Sequence, residues 1–345
     1  MKKNNKITKI SELGEFKFIK KITNSFEIKN RETIKGIGDD SAVLNFNSND
    51  VIISNDILIE GIHFDLTYNP LKHLGYKAVI VNLSDIYAMN AKPSQIILSI
   101  GLSNRFSVEA IQELYDGVLQ ACKNYSIDLV GGDTSSSEKG LIISVTAIGY
   151  TQRKKISYRN NAKPNDLIVV SGDLGGAYMG LQILEREKSV LNVNPNSKPD
   201  LSNYSYSIQR FLKPEARKDV IKLLHELNIF PTSMIDISDG LSSDLIHIAK
   251  NSKAGFNLFE DKIPIDDEVK RICEEFKINS TTAALNGGED YELLFTINQK
   301  DYDKIKDIND LSIIGHMTKD NEQYLINKIG QKIELNSQGW DTFKY

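Results

Sequence analysis

The sequence predicts a two-domain protein of the α/β (α+β) class on three observations. Short β-branched apolar runs recur along the chain, stretches of helical period alternate with them in both halves, and a polar, basic segment carrying a proline lies near the middle. The 345 residues, 40% hydrophobic and 26% charged, supply a large core and favour about two domains.

In chain order, Val51 to Ile59 and Ile96 to Leu102 are rich in β-branched residues and bounded by polar or proline signals, and are predicted strands. Between them Leu74, Ala78, Val81 and Ile86 recur at helical spacing over Leu71 to Met89, with Pro93 just beyond. Ser107 opens a second helix to Asn124 as a capping-type residue, and Leu141 to Gly149 is a further strand. The polar stretch Tyr150 to Asp166, with Pro164, divides an N-terminal domain (1–149) from a C-terminal one (150–345). In the second domain Leu167 to Ser171 is a buried-type strand that leads through a glycine-rich turn into a helix over about Gly175 to Arg186. Helices follow over Lys213 to Leu227 and Asp239 to Lys250, with strands at Phe256 to Phe259 and Tyr291 to Thr296. Ser189 to Tyr206, rich in Asn, Ser and Pro, is predicted to be a mobile surface loop.

The formal net charge of −4 gives no general reason to bind nucleic acid or an anionic membrane, and a small or nucleotide ligand fits better. No run approaches the ~18 apolar residues that span a bilayer. The basic N-terminus lacks a signal-type apolar region, so cytoplasmic localisation is the default expectation. Cys122 and Cys273 are far apart, with no second cysteine near either, and read as reduced structural residues.

The chemistry is concentrated in acidic residues beside glycine or serine: Gly-Ile-Gly-Asp-Asp-Ser (36–41), Ser-Asn-Asp (54–56), Asn-Leu-Ser-Asp (82–85), Gly-Gly-Asp-Thr (131–134), Ile-Asp-Ile-Ser-Asp-Gly (235–240) and Gly-Gly-Glu-Asp (287–290). Magnesium prefers carboxylate, hydroxyl, water and phosphate oxygens, so acids on several loops suit a metal–phosphate cluster, and the neighbouring glycines let backbone N–H groups approach phosphate. Singly the motifs have plainer readings. Asp239 before Gly240 could be a helix N-cap, and Asp39-Asp40 after Gly38 an ordinary turn. Asp85 sits in an apolar helical stretch and needs a cation, a donor or solvent there. The P-loop and protein-kinase signatures are absent. Gly172-Asp173-Leu174-Gly175-Gly176 lacks full dinucleotide-binding spacing and reads as a tight strand-to-helix turn.

Taken in order over nearly the whole chain, these motifs resemble those of the thiamine-monophosphate kinase family, within the ATP-binding superfamily that includes aminoimidazole ribonucleotide synthetase. Further matching segments are Gly14-Glu15-Phe16, Asp56 through Gly61 to His63-Phe64, Tyr76-Lys77-Ala78, and the continuations to Leu241 and Leu293. The resemblance implies a mostly antiparallel N-terminal sheet that pairs with that of a second subunit in a homodimer, and a C-terminal α/β half that helps close the site. It implies several Mg2+ ions held by Asp40, Asp56, Asp85, Asp133, Asp236 and Asp239, with Ser54 and Asn55 adding oxygens. Where the family commonly has threonine this chain has Asn55, which offers a ligand only its carbonyl oxygens. It further implies ATP contacts from Tyr115, Gly132, Arg159 and Ser238, and a thiamine phosphate pocket of His63, Glu289 and Trp340. Arg159 suits bidentate phosphate binding, and an aromatic face suits a thiazolium cation. Without the family, Trp340 and His63 would read as packing or surface residues, and Arg159 as a solvated linker residue.

The activity so implied is transfer of a phosphoryl group from ATP to thiamine monophosphate. The attacking phosphate oxygen is already anionic, so no general base is singled out and the burden is electrostatic. The rival readings are another enzyme of the superfamily with a different acceptor, or a catalytically silent nucleotide-binding regulator. The selenophosphate synthetase and hydrogenase-maturation branches fit poorly, since no cysteine precedes Cys122 and the chain ends Gly339-Trp340-Asp341-Thr342-Phe343-Lys344-Tyr345.

Overall fold

The computed structural model describes residues 21–35 and 43–336, so the expectations placed on Gly14-Glu15-Phe16, Asp39, Asp40 and Trp340 lie outside the described residues. The chain divides into two compact units, Met1–Ile86 with Lys92–Arg153, and Tyr87–Ala91 with Lys154–Tyr345.

The first unit contains a small antiparallel pair, β1 (Thr33–Lys35) and β2 (Val43–Leu44), then β3 (Asp50–Ile59), α1 (Leu71–Ala88), β4 (Lys92–Leu102), α2 (Val108–Tyr125), β5 (Asp128–Ser136) and β6 (Ile142–Thr151). Its main sheet has the order β3-β6-β4-β5. The β3/β6 and β4/β6 ladders are antiparallel, and β4/β5, joined through α2, is parallel. Ser107 caps α2 as its sequence position predicted, accepting a hydrogen bond from the Ala110 N–H, and Ser126 ends the helix in the left-handed region. Leu74, Ile80, Leu83 and Ile86 of α1 are buried with Ile96, Leu98 and Ile100 of β4. The side chains of β3 alternate between half-buried and exposed, as a strand at a sheet edge requires.

The second unit runs β7 (Leu167–Ser171), α3 (Gly176–Val193), α4 (Ser205–Leu212), α5 (Lys218–Glu226), β8 (Ser233–Asp236), α6 (Leu241–Ser252), β9 (Gly255–Phe259), α7 (Asp267–Phe276), α8 (Ser280–Asn286), β10 (Leu293–Ile297), α9 (Tyr302–Ile305), β11 (Leu311–Thr318), β12 (Gln323–Ile326) and β13 (Lys332–Glu334). Its sheet order is β13-β12-β9-β11-β7-β10-β8. All of these ladders are antiparallel except β9/β12. The Leu293–Ile297 strand is buried at every position; its Leu294 packs in one core cluster with Leu241, Leu245 and Leu285 of α6 and α8, while Met179, Ile272 and Ala283 form a second cluster.

Three sequence expectations need correction. The predicted loop over Ser189 to Tyr206 is partly helical: α3 continues to Val193, and α4 starts at Ser205. The helix expected from Lys213 starts at Lys218, because Arg217 is drawn out of helical register to Glu292 and Asp310. The strand expected from Tyr291 begins at Leu293, since Tyr291 has a left-handed φ of 53°. Among the described residues, no helix is long and apolar enough to cross a membrane. Both cysteines are free and buried.

Candidate active site

In the first unit the site is built where β3 meets α1. Asn82 and Asp85 lie three residues apart on one helical face. The Asn82 Oδ1 accepts a hydrogen bond from the Asp56 N–H at 3.0 Å, and its Nδ2 donates to the Ala78 carbonyl at 3.1 Å, which ties the edge strand to the helix. The Ser54 hydroxyl donates to the Asp85 carboxylate, so Asp85 has the donor that its apolar setting demanded. Burial first, and then the charge of Asp85, push the Asp56 carboxyl up to about 6. Ser54, Asp56 and Asp85 thus form one group of hard oxygens.

The same strand turns Asn55 the other way. Its Nδ2 donates to Ser144 Oγ at 3.2 Å, Val145 O at 3.0 Å and Thr146 Oγ1 at 2.8 Å, all on β6. Asp133 follows it: Asp133 pairs with Ser99, Ser99 with Ser144, and Ser144 with Ile57, a file of positions alternate to that of Asp56. Gly132 lies on the Asp56 side, and a Cβ there would stand 2.0 Å from the Leu98 carbonyl, so the strand accepts only glycine at that point. The expected ligands of this unit therefore divide between two sheet faces. His63 closes the turn after β3, where its Nδ1 accepts from the Ile59 N–H at 3.1 Å. An acceptor Nδ1 leaves the neutral ring its proton on Nε2. Tyr115 is buried on α2 with Phe26 edge-on at 6.3 Å, and burial drives its phenol pKa well up.

In the second unit two signature loops are joined backbone to backbone. Beyond the β8/β10 ladder, Ile237 N donates to Glu292 O at 2.8 Å, Tyr291 N to Ile237 O at 2.9 Å, and Glu289 N to Ser238 O at 2.8 Å. Gly288, at φ 68°, permits this approach, since a Cβ there would lie 2.5 Å from the Ser238 carbonyl. Ser238 and Glu289 are thereby adjacent. The helix-cap reading of Asp239 does not hold: Gly240 occupies the N-cap of α6 and no side chain caps it. Instead the Asp239 N–H donates to Asp244 Oδ2 at 3.3 Å.

Asp244 is a buried acid that sequence reasoning missed. Burial, followed by the charges of Asp236 and Asp239, pushes its carboxyl up to about 8, while Arg159 acts in the opposite sense. Burial also raises Asp239, against His247 and Arg159. The exposed Arg159 thus brings positive charge to the Asp236–Asp239–Asp244 group. Its signal in the sequence was an acid between Leu241 and Leu245 on the apolar face of a helix.

Among the described residues no three His, Cys, Asp or Glu side chains are arranged as a closed metal site. The chemistry of the donors still suits a hard divalent cation, because mutually repelling, partly desolvated carboxylates are relieved by one.

The family pattern described as AIR synthase related protein, N-terminal domain, matches residues 38–151. A thiamine-monophosphate kinase of Buchnera aphidicola subsp. Schizaphis graminum is 38% identical over 340 residues, which is 96% of this chain and 99% of that protein. The chain belongs to the thiamine-monophosphate kinase family. The crystal structure of thiamine-monophosphate kinase from Stenotrophomonas maltophilia K279a superposes with a TM-score of 0.78 at 30% identity, covering 91% of this chain and 96% of that one. AaThiL complexed with AMPPCP and TMP gives 0.74 at 33% identity, covering 96% and 97%. The two-domain fold expected from the resemblance is therefore that of this kinase family and of its wider synthetase-like superfamily.

Within this kinase fold the Gly172–Gly176 turn is not a nucleotide loop. Gly172 and Gly175 have φ of 54° and 84°, and the N–H groups of Gly175 and Ala177 are taken by the Asp290 carboxylate at 2.8 and 3.3 Å. The α3 N-terminus is thus already occupied by an internal anion.

Proposed function

We propose that the chain transfers the γ-phosphoryl group of ATP to the phosphate of thiamine monophosphate, giving thiamine diphosphate and ADP by in-line displacement. The observation that carries this reading is the joining of the Ser238–Gly240 and Gly288–Glu292 loops in the second unit, which sets Ser238 and Glu289 side by side with Arg159 beside the neighbouring acids. A family relative binds AMPPCP, an ATP analogue, together with TMP, which supports the same pair of ligands here.

In this reading Arg159 grips ATP phosphate oxygens through its planar guanidinium, while Ser238 and the backbone at Gly132 approach the same phosphates, with Tyr115 near the nucleotide. His63 would present its Nε2–H to the acceptor phosphate, and Glu289 and Trp340 would complete the thiamine phosphate pocket. Ser54, Asp56 and Asp85, and separately Asp236 and Asp239, would hold Mg2+, with Asp40, Asp133 and Asn55 as the further ligands. Bound magnesium would supply the local positive charge that two anionic substrates need. The attacking oxygen is ionised near neutral pH, so the residues orient and neutralise and no side chain need remove a proton.

The protein would act as a cytoplasmic homodimer. Val51, Ile53 and Ile57 on the outer face of β3 are 44%, 65% and 49% exposed, an apolar row that a second copy of the sheet would cover.

The deciding experiment mixes purified protein with ATP, magnesium and thiamine monophosphate and follows thiamine diphosphate and ADP by chromatography, with free thiamine as control. Equal, magnesium-dependent formation of both products from the monophosphate alone is expected. ATP binding with no thiamine diphosphate would leave a different acceptor or the silent regulator.

A further inference from the structure

The Gly-Gly-Glu-Asp-Tyr-Glu motif carries three acids, of which the proposed function uses only Glu289. The other two point away from Ser238 into the interior, and they meet the strand-to-helix turn at the start of α3. Asp290 is buried and accepts the Gly175 and Ala177 N–H groups at 2.8 and 3.3 Å. Glu292 is buried as well. It accepts Ser171 Oγ at 2.5 Å and Arg210 Nη1 at 2.8 Å, and pairs with Arg217. Arg210 ties the two together, because its Nη2 also donates to the Asp290 carbonyl at 3.2 Å and to the Asp173 carbonyl at 3.1 Å.

The backbone on either side of Asp290 is strained. Glu289 and Tyr291 both hold left-handed φ, 58° and 53°, although neither is glycine. Such residues persist only where their surroundings over-determine the conformation. Here the surroundings are the two inward carboxylates on either side of Tyr291, with the backbone bonds to Ile237 and Ser238 on the outer side. Asp290 and Glu292 thus fix the inside of the loop, while the Glu289 backbone is tied to Ser238 on the other side.

We propose that Asp290, Glu292 and Arg210 are positioning residues, which lock the strained loop to the α3 N-terminus and thereby set the placement of Glu289 toward the acceptor phosphate ester. This rests on the assignment of Glu289 to the acceptor pocket.

The test is a double-mutant cycle on the full chain, with Glu289→Gln, Asp290→Asn and the pair, measuring KM for thiamine monophosphate at saturating ATP and KM for ATP at saturating acceptor. Asp290→Asn is expected to raise KM for thiamine monophosphate about tenfold or more and to leave KM for ATP within about twofold, as displacement of an orienting group does. Because Asp290 acts through Glu289, the pair is expected to be no worse than Glu289→Gln alone. Multiplied effects in the pair, or an unchanged KM for thiamine monophosphate in folded Asp290→Asn, would overturn the positioning role while leaving the pocket intact. A Glu289→Gln enzyme with unaltered KM would instead overturn the pocket assignment, and the positioning role with it. Should Asp290→Asn not fold, Ser171→Ala, which removes one donor to Glu292, takes its place in the cycle with a smaller shift of the same kind expected and the same outcomes deciding.

Discussion

Asp56→Asn is expected to make the metal-free protein more stable near neutral pH while abolishing its activity. In the folded chain the Asp56 carboxyl is pushed from 3.8 up to about 6 by burial and by Asp85. A raised carboxyl pKa means that the folded state binds the proton more tightly than the unfolded one, so this group opposes folding increasingly as pH climbs from 3.8 through 6. Roughly two pKa units correspond to ~3 kcal/mol, and since Asp56 is only half-buried, ~2 kcal/mol is the working figure after solvent screening. Asparagine keeps the shape and removes the charge. At about 2 °C per kcal/mol, the variant should melt ~4 °C higher than the parent at pH 7.5 in EDTA. Integrating the same linkage, about half of that gap should remain at pH 5 and almost none below pH 4. Scanning fluorimetry over pH 5 to 8 reads the gap, and millimolar magnesium should raise the parent and not the variant. A variant that melts at or below the parent at pH 7.5, or a gap indifferent to pH, would refute the picture of two carboxylates crowded for a cation.

Asp85→Asn and Asp133→Asn should each lower turnover severely, about a hundredfold or more, with the fold intact by circular dichroism, although the two residues lie on different faces of the sheet. Gly288→Ala adds a Cβ 2.5 Å from the Ser238 carbonyl at a φ of 68°, so it should destabilise the second unit by ~2 kcal/mol or more in denaturant melts and remove activity through the loop pairing. Ile53→Lys on the exposed face of β3 should shift light-scattering mass from dimer to monomer, and an unchanged mass would tell against that face as the subunit contact. Cys122 and Cys273 are buried, with their thiols pushed up to about 12 and about 11, so neither should react with a thiol reagent before the chain unfolds.

The strands and helices with a clean period were legible in the sequence. Leu71 to Met89 and Val51 to Ile59 end within a residue of their observed limits, the helix because a sustained apolar period has Pro93 just beyond it, and the strand because its β-branched run gives way to Glu60-Gly61. The misplaced ends are those decided at a distance. Nothing near Arg217 announces that Glu292 and Asp310 will hold it outside the helix, and nothing local shows that Tyr291 will turn left-handed to pair with Ile237. Asn- and Ser-rich composition suggested a loop over Ser189 to Tyr206, but α3 runs on to Val193, a tertiary override of weak local propensity.

The site divides along the same line, between parity and register. That Ser54 and Asp56 share a face and Asn55 faces away follows from the period of a strand, and the order of residues alone is enough to imply it. The position of Asp133 has no such local sign. Gln95 and Ile96 of β4 pair with Asp128 and Leu129 of β5, but Ile97 pairs with Gly131, so Val130 is a bulge that belongs to no pair. Were the ladder regular, Asp133 would stand opposite Ile100, on the same side as Leu98 and Asp56; one extra residue sends it to the side of Ser99 and places Gly132 beneath Leu98 instead. The glycine pair before Asp133 is thus explained twice over. Gly132 is needed because its Cβ would strike the Leu98 carbonyl, and it lies beneath Leu98 because of the same bulge that turns the acid to the open face. A substitution that removed the bulge would not merely shift Asp133 along its strand; it would carry the carboxylate through the sheet, and the effect on magnesium dependence should match that of deleting the side chain.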